Sequence, residues 1–272
     1  MTRRRWNIPV SLAIGFALLL LPMAGTADDR VGIMIAHKGL RFIAVQPPAN
    51  ARFDITTLPA ETALAKIIAA FDRLYARSPL SAIRIDRLKK SGRVEIRYDP
   101  TFPKSRFASL MIAGFFPAFE PDRKTKKYLA IVGRYGAKWP QRELAAVLAH
   151  ELIGHGMQYF RGDTRRLRII DLECEAYLYE ENAYQKLGFD KHSREMIKFR
   201  KTLERKWCLP FRDYLKKYTP GKMALWERLN PDVVGLLEAF LGYLDHLQST
   251  GVTAKARRAR EAGKLRPASR QP

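Results

Sequence analysis

Residues 140–156 read PQRELAAVLAHELIGHG, and this stretch determines how the rest of the chain is interpreted. Proline is tolerated in the first turn of a helix, and apolar residues follow it at helical spacing, so a helix is predicted to begin near Pro140. The same helix carries two imidazoles and one carboxylate, those of His150, Glu151 and His155. Imidazole and carboxylate are usual protein ligands of zinc. The stretch therefore predicts a metal site on a helix.

The two histidines are five residues apart, one residue more than in the common H-E-x-x-H arrangement. Residues four apart on an α-helix differ in direction by about 40°, whereas residues five apart differ by about 140°. A single π-type turn, with hydrogen bonds from i to i+5, returns both side chains to one side, and such turns concentrate at functional sites. We therefore predict a π-type bulge between His150 and His155, permitted by the backbone freedom of Gly154.

A further ligand is expected from the next predicted helix, which spans Asp171 to Leu187. A catalytic zinc site has three protein ligands and one open position for water. Two acidic residues of this helix, Glu173 and Glu175, flank its apolar stripe on opposite sides at similar angles. Helical geometry by itself leaves both residues open as the third ligand.

Two short motifs resemble those of the dipeptidyl-peptidase III family of zinc peptidases. Residues 150–155, HELIGH, are similar to the H-E-L-L-G-H helix of that family, and residues 173–176, ECEA, are similar to its E-C-R-A segment. The resemblance is local to residues 150–176. It implies a gluzincin-type zinc site in which Glu173 is the third ligand, with Glu175 as the alternative.

Such a site implies hydrolysis of peptide bonds in a peptide or protein substrate, with one zinc ion per chain. Zinc lowers the pKa of its bound water towards about 7. Glu151, beside the metal but not bound to it, would take the proton as general base. The predicted strand Lys127 to Arg134 is expected to lie along the cleft and to pair with an extended peptide.

The N-terminus is typical of a secretory signal peptide. Arg3–Arg5 precede an apolar run from Ile8 to Met23, and small residues at Gly25 and Ala27 fit a cleavage site. The run has about 16 residues, fewer than the roughly 20 that cross a bilayer. We therefore expect residues 1–27 to be removed and the protein to be periplasmic or secreted, with an uncleaved membrane anchor as the alternative.

The chain is strongly basic, with 49 Lys and Arg against 27 Asp and Glu and a formal net charge of +22. An exported protein meets no chromosome, so nucleic acid is not the expected partner. The basic segment 186–222 is interpreted as a solvated helix face, with a membrane-surface helix as the alternative, and residues 251–272 as a disordered basic tail. An anionic envelope polymer or a lipid surface is the partner that this charge is compatible with.

The chain has two cysteines, Cys174 and Cys208. An oxidising compartment permits one disulfide between them. Two buried free thiols fit the sequence equally well, so the pairing stays open.

The fold class is predicted to be α+β and zincin-like. A hairpin over Val31–Val45, a helix over Pro59–Tyr75, and a strand pair at Ala82–Asp86 and Arg93–Tyr98 predict a small antiparallel or mixed sheet with a helix. The metal-site helix and a mainly helical C-terminal half follow. One domain is expected over residues 28–250.

Two other functions are compatible with the sequence. The first is a catalytically idle metal-binding protein attached to envelope polymers or lipid, although an intact Glu151 favours an enzyme. The second is a zinc hydrolase that cleaves a non-peptide amide, such as a peptidoglycan linkage.

Overall fold

The computed structural model describes residues 31–103, 111–120, 125–227, 229–253 and 258. The predicted signal peptide, residues 1–27, and nearly all of the predicted tail, residues 251–272, lie outside these ranges and stay predictions. Among the helices that the structure describes, none is both long enough and apolar enough to cross a membrane.

The structure contains a mixed sheet of five strands in the order β1-β2-β3-β5-β4. Its strands are β1 (Val31–His37), β2 (Leu40–Val45), β3 (Gly92–Asp99), β4 (Ala113–Glu120) and β5 (Thr125–Gly133). The pairs β1/β2 and β4/β5 are antiparallel, and β2/β3 and β3/β5 are parallel. The predicted hairpin is confirmed, and β1 and β4 are the two edges of the sheet.

The helices lie mostly after the sheet. They are α1 (Ala60–Arg77), α2 (Pro79–Ser91), α3 (Gln141–Leu148), α4 (Gly156–Arg161), α5 (Ile169–Lys186), α6 (Arg194–Thr202), α7 (Leu209–Tyr218) and α8 (Val233–Ser249). Two π-helical turns, Ala149–His155 and Leu203–Trp207, connect α3 to α4 and α6 to α7. The predicted α+β class is therefore confirmed.

The strand predicted over Ala82–Asp86 is wrong, because these residues lie inside α2. Residues two apart face opposite sides of a strand, but on a helix they also point in nearly opposite directions. Ile83 is accordingly 62% exposed and Ile85 is fully buried, at 0%. The hydroxyl of Ser78 accepts a hydrogen bond from the backbone N–H of Ser81 and caps the helix. Strand β4 was not predicted.

The core forms where the helices cover one face of the sheet. Phe42 of β2 and Phe71 of α1 are both fully buried, and their rings meet edge to face at 5.3 Å. Helix α5 lies deeper than the other helices, because every residue from Asp171 to Ala183 is buried. Any carboxylate on α5 is therefore removed from water and needs a partner.

A disulfide joins Cys174 of α5 to Cys208, the residue before α7, and settles the question that the sequence left open. It ties the most buried helix to the C-terminal helices across 34 residues of chain. Both cysteines are at most 1% exposed.

We expect the double variant Cys174→Ser/Cys208→Ser to have a free energy of unfolding lower by about 3–4 kcal/mol, because the unfolded chain loses a constraint on a loop of this length. Urea unfolding of the oxidised wild type, the reduced wild type and the double variant measures the change. The reduced wild type should match the variant, and equal midpoints for the oxidised wild type and the variant would contradict a stabilising crosslink.

Candidate metal centre

The predicted π-type bulge is confirmed, because residues 149–155 form a π-helical turn within one continuous helical segment. The wider turn brings His155 back towards His150, and the two ring centroids are 5.0 Å apart. Ligand atoms of His150, Glu151 and His155 lie within 4.8 Å of one another. The structure thus groups three residues that could hold a metal ion.

Gly154 has a different role from the one predicted. Its φ is not in the left-handed region, so the turn does not require the backbone freedom of glycine. Instead, a Cβ at this position would lie 2.5 Å from Cα of Ala176 and 2.7 Å from its Cβ. Gly154 therefore allows the π turn to pack directly against the backbone of α5.

Glu173 is the carboxylate of α5 that reaches both histidines. Its Oε2 lies 3.5 Å from Nε2 of His150, and its Oε1 lies 3.7 Å from Nε2 of His155. Glu175 is instead paired at 2.6 Å with Arg161, which also contacts Asp163. The geometry therefore separates the two glutamates that the sequence left open.

The other nitrogen of each imidazole faces a residue that the sequence analysis missed. Nδ1 of His150 lies 3.1 Å from Glu180, whose second oxygen accepts a hydrogen bond from the Tyr184 hydroxyl. Nδ1 of His155 lies 2.9 Å from the amide oxygen of Gln158. These contacts turn both Nε2 atoms towards Glu173. The sequence could have pointed to Glu180, because this residue lies seven positions after Glu173 and therefore on the same face of the helix.

Gln158 is itself fixed, because its side-chain amide donates a 2.7 Å hydrogen bond to the carbonyl oxygen of Leu172 in α5. The residue is fully buried. Because the amide nitrogen of Gln158 is the donor in this bond, its amide oxygen faces Nδ1 of His155. An amide oxygen can only accept, so Nδ1 must carry the proton, and Nε2 of the neutral ring carries none.

Glu151 lies beside the group and contacts the edge of the sheet. The backbone N–H of Phe115 in β4 donates a hydrogen bond to its carboxylate. The Phe115 ring stacks on His155 with centroids 6.4 Å apart.

The predicted role of strand Lys127–Arg134 is wrong, because β5 is paired on both sides, by β3 and β4. Within the described sheet, the edge strand that borders the centre is β4.

The C-terminal half closes another side of the centre. The Tyr177 ring meets the His150 ring at a centroid distance of 4.4 Å. Trp207, the last residue of the second π turn, stacks on Tyr177 at 5.3 Å. The disulfide at the next residue, Cys208, connects the segment that carries Trp207 to α5.

Burial and mutual charge shift the pKa values of the centre. Burial acts to lower the pKa of His150, but the nearby carboxyl groups of Glu173, Glu180 and Glu151 outweigh it and raise this pKa well above its usual value. Burial lowers the pKa of His155 to about 4 and raises that of Glu151 to about 7. Three buried carboxyl groups thus surround one imidazole that readily holds a positive charge, an environment suited to a cation.

Comparison of the chain with protein-family models, with curated proteins and with solved structures gave no match.

We expect Gly154→Ala to lower the free energy of unfolding by about 1–3 kcal/mol, because the new methyl group meets the backbone of α5. Alanine has a higher helix propensity than glycine, and this difference alone would raise the free energy of unfolding by about 1 kcal/mol. Urea unfolding measures the change.

Gly156→Ala is the matched control, because a Cβ there meets mainly the flexible end of the Leu88 side chain, at 2.9 Å. The control should change stability much less. Equal effects of the two substitutions would show that the contact with Ala176 is not the constraint.

Proposed function

We propose that this protein is an exported zinc metallopeptidase that hydrolyses peptide bonds, with a zincin-like arrangement of its metal site. One observation carries the proposal. His150 and His155, brought together by a π turn, direct their Nε2 atoms at Glu173, with Glu151 beside them.

The two distances from the histidines to Glu173 are compatible with a tetrahedral zinc ion. Zinc–nitrogen and zinc–oxygen bonds of about 2.0–2.2 Å place two ligand atoms about 3.3–3.6 Å apart. The distances from Glu173 to His150 and His155, 3.5 and 3.7 Å, are near this range and are long for hydrogen bonds. Two imidazoles with one carboxylate favour zinc over magnesium or calcium, which prefer oxygen ligands throughout.

Orphaned polar atoms support the same conclusion. Oε1 of Glu173 and Oε2 of Glu151 are buried and make no hydrogen bond. A buried polar atom without a partner costs about 1–3 kcal/mol, and more when it is charged. A divalent cation between the imidazoles and Glu173 would remove part of this cost.

We assign His150, His155 and Glu173 as ligands and Glu151 as the general base. Glu151 is also near enough to the histidines to be a ligand itself. Glu173 is the better ligand because each of its oxygens faces one Nε2 atom. Glu151 instead accepts a hydrogen bond from Phe115, which holds its carboxylate beside the three ligands.

Zinc bound there would supply Lewis-acid activation of a water molecule and of the scissile carbonyl group. Glu151 would take a proton from the attacking water and pass it to the leaving amine. Its raised pKa, about 7, suits a group that both accepts and returns a proton near neutral pH.

An extended peptide has a binding edge next to the centre. Strand β4 is an edge of the sheet, and its Phe115 contacts both Glu151 and His155. A substrate that adds to this edge as a further strand would therefore pass the proposed general base.

The disulfide supports export, because disulfides persist in the periplasm and outside the cell and are rare in the cytosol. We propose removal of residues 1–27 and attachment of the basic chain to anionic envelope polymers or lipid. Removal of Arg3–Arg5 lowers the formal net charge from +22 to +19, and this charge is the basis of the attachment, which high salt would weaken.

A second candidate function, a catalytically idle metal-binding envelope protein, is favoured by the burial of the centre. His150, Glu151, His155 and Glu173 are only 6%, 4%, 3% and 2% exposed. A substrate needs a path to these groups, whereas a structural metal does not.

We expect the purified protein to contain about one zinc per chain and the variant Glu173→Gln to lose most of it, because a neutral amide is a much poorer ligand. Elemental analysis by mass spectrometry measures the content. Glu175→Gln, the same change two residues along α5, is the control and should retain zinc. Full retention in Glu173→Gln would reject the ligand assignment.

We expect Glu151→Gln to retain zinc and to lose hydrolysis of a denatured protein substrate by about 10²–10⁴-fold, because the amide cannot accept the proton. Zinc content and proteolysis are measured on the same sample. Loss of zinc in this variant would make Glu151 a ligand. A zinc-loaded wild type that cleaves no peptide would favour the idle protein.

A further inference from the structure

A cavity with a volume of about 370 Å³ lies between the C-terminal ends of α1 and α5. It is lined by Arg73, Ala76 and Arg77 of α1 and by Lys186, Leu187 and Gly188 at the end of α5. Small-molecule sites usually have volumes of about 300–1,000 Å³, so the cavity is large enough to hold one. None of these residues belongs to the metal centre.

Among the described residues that line this cavity, the charged ones are all cations. Arg73 and Arg77 are four residues apart and therefore lie on the same face of α1. Lys186 comes from the last turn of α5, and all three side chains are exposed. Three positive charges thus meet in one concave site, where they repel one another. A bound anion would remove this repulsion.

The three cations have no carboxylate partner in the part of the chain that the structure describes. The acidic residues that are close to them in sequence interact elsewhere. Asp72 contacts His37 and Lys38, and Asp190 accepts a hydrogen bond from the backbone N–H of His192. The positive charge of the cavity is therefore not neutralised by ion pairs within the protein.

The turn that ends α5 leaves space in the cavity and adds a cation beside it. Gly188 has a φ of 73°, in the left-handed region, and a Cβ there would have no neighbour within 4 Å. Arg142 of α3 donates a 3.4 Å hydrogen bond to the carbonyl oxygen of Gly188, and its guanidinium lies 4.0 Å from the centroid of the Phe189 ring. The C-terminus of a helix has a partial negative charge that disfavours an anion, and Arg142 offsets it at this position.

We propose that this cavity binds a phosphate monoester through Arg73, Arg77 and Lys186. A guanidinium donates pairs of hydrogen bonds to phosphate oxygens, and an ammonium group adds a compact charge. A phosphate monoester has close to two negative charges near neutral pH and so suits three cations better than a carboxylate does. The volume also leaves space for the organic part of the molecule. This part can be a soluble alcohol or the glycerol of a phospholipid.

Binding of a soluble monoester is measured by titrating the purified protein with glycerol 3-phosphate in a phosphate-free buffer, using isothermal titration calorimetry. The wild type should bind at one saturable site per chain. Arg73→Gln/Arg77→Gln should weaken binding by about tenfold or more, because it removes two charged donors. Lys186→Gln, on the other helix, should weaken it as well.

Arg194→Gln/Lys198→Gln is the matched control. These two cations are also exposed and four residues apart, but they lie on α6 and do not line the cavity. The control removes the same net charge and should bind glycerol 3-phosphate as the wild type does.

The lipid source is tested by cosedimentation with vesicles of phosphatidic acid and phosphatidylcholine in a 3:7 ratio, flagged here as an order-of-magnitude choice of about one-third anionic lipid. Vesicle binding that falls in Arg73→Gln/Arg77→Gln and not in the control would identify the headgroup of a phospholipid as the monoester. Equal vesicle binding by the two double variants, together with weakened binding of glycerol 3-phosphate in the cavity variant alone, would identify a soluble one.

The proposal is overturned if neither probe binds the wild type, or if the cavity variant and the control lose binding of both probes equally, because overall charge would then explain the binding. Unchanged binding of both probes in Lys186→Gln would also overturn the site between the two helices. Zinc content should be the same in all these variants, so failure of this proposal is distinguishable from failure of the proposed function.

Discussion

The structure depends on the close contact between a π-helical turn and the buried helix α5. Gly154 lies directly against the backbone of Ala176, closer than any residue with a Cβ could lie. This contact sets the distance between the imidazoles on one helix and Glu173 on the other. The π turn determines the direction of the histidines, and the glycine determines how near the carboxylate comes. Neither feature alone would assemble the group.

Burial then gives the group its electrostatic character. Helix α5 is inaccessible to solvent along most of its length, so Glu173 and Glu180 are removed from water together with the histidines. Carboxylates in such a place need positive charge, and together with Glu151 they raise the pKa of His150 well above its usual value. A metal ion held there would compete with a proton for His150, which is the usual coupling between affinity and pH at histidine sites. Gln158 and Glu180 orient the two rings through their Nδ1 atoms.

Of the two edge strands of the described sheet, one borders the centre and the other lies away from it. Strand β4 contacts Glu151 and His155, whereas β1 lies at the far side of the sheet beside α1. The two edges also differ in sequence environment. β4 ends in Glu120, which pairs with Arg93, while β1 contains no charged residue before His37.

The sequence by itself determined the α+β class, the hairpin, the helix carrying His150 and His155, and the need for a π turn, because these follow from periodicity and local spacing. It could not choose between Glu173 and Glu175, which are equivalent on an isolated helix, or pair Cys174 with Cys208. Tertiary structure pairs the two cysteines and brings Glu173, rather than Glu175, to both imidazoles, because only packing fixes how α5 is rotated against the π turn. The tertiary structure also shows that β4, and not β5, is the edge strand next to the centre, and that residues 82–86 belong to helix α2 and not to a strand. Strand order and helix burial depend on contacts between residues far apart in the chain, which local pattern does not encode.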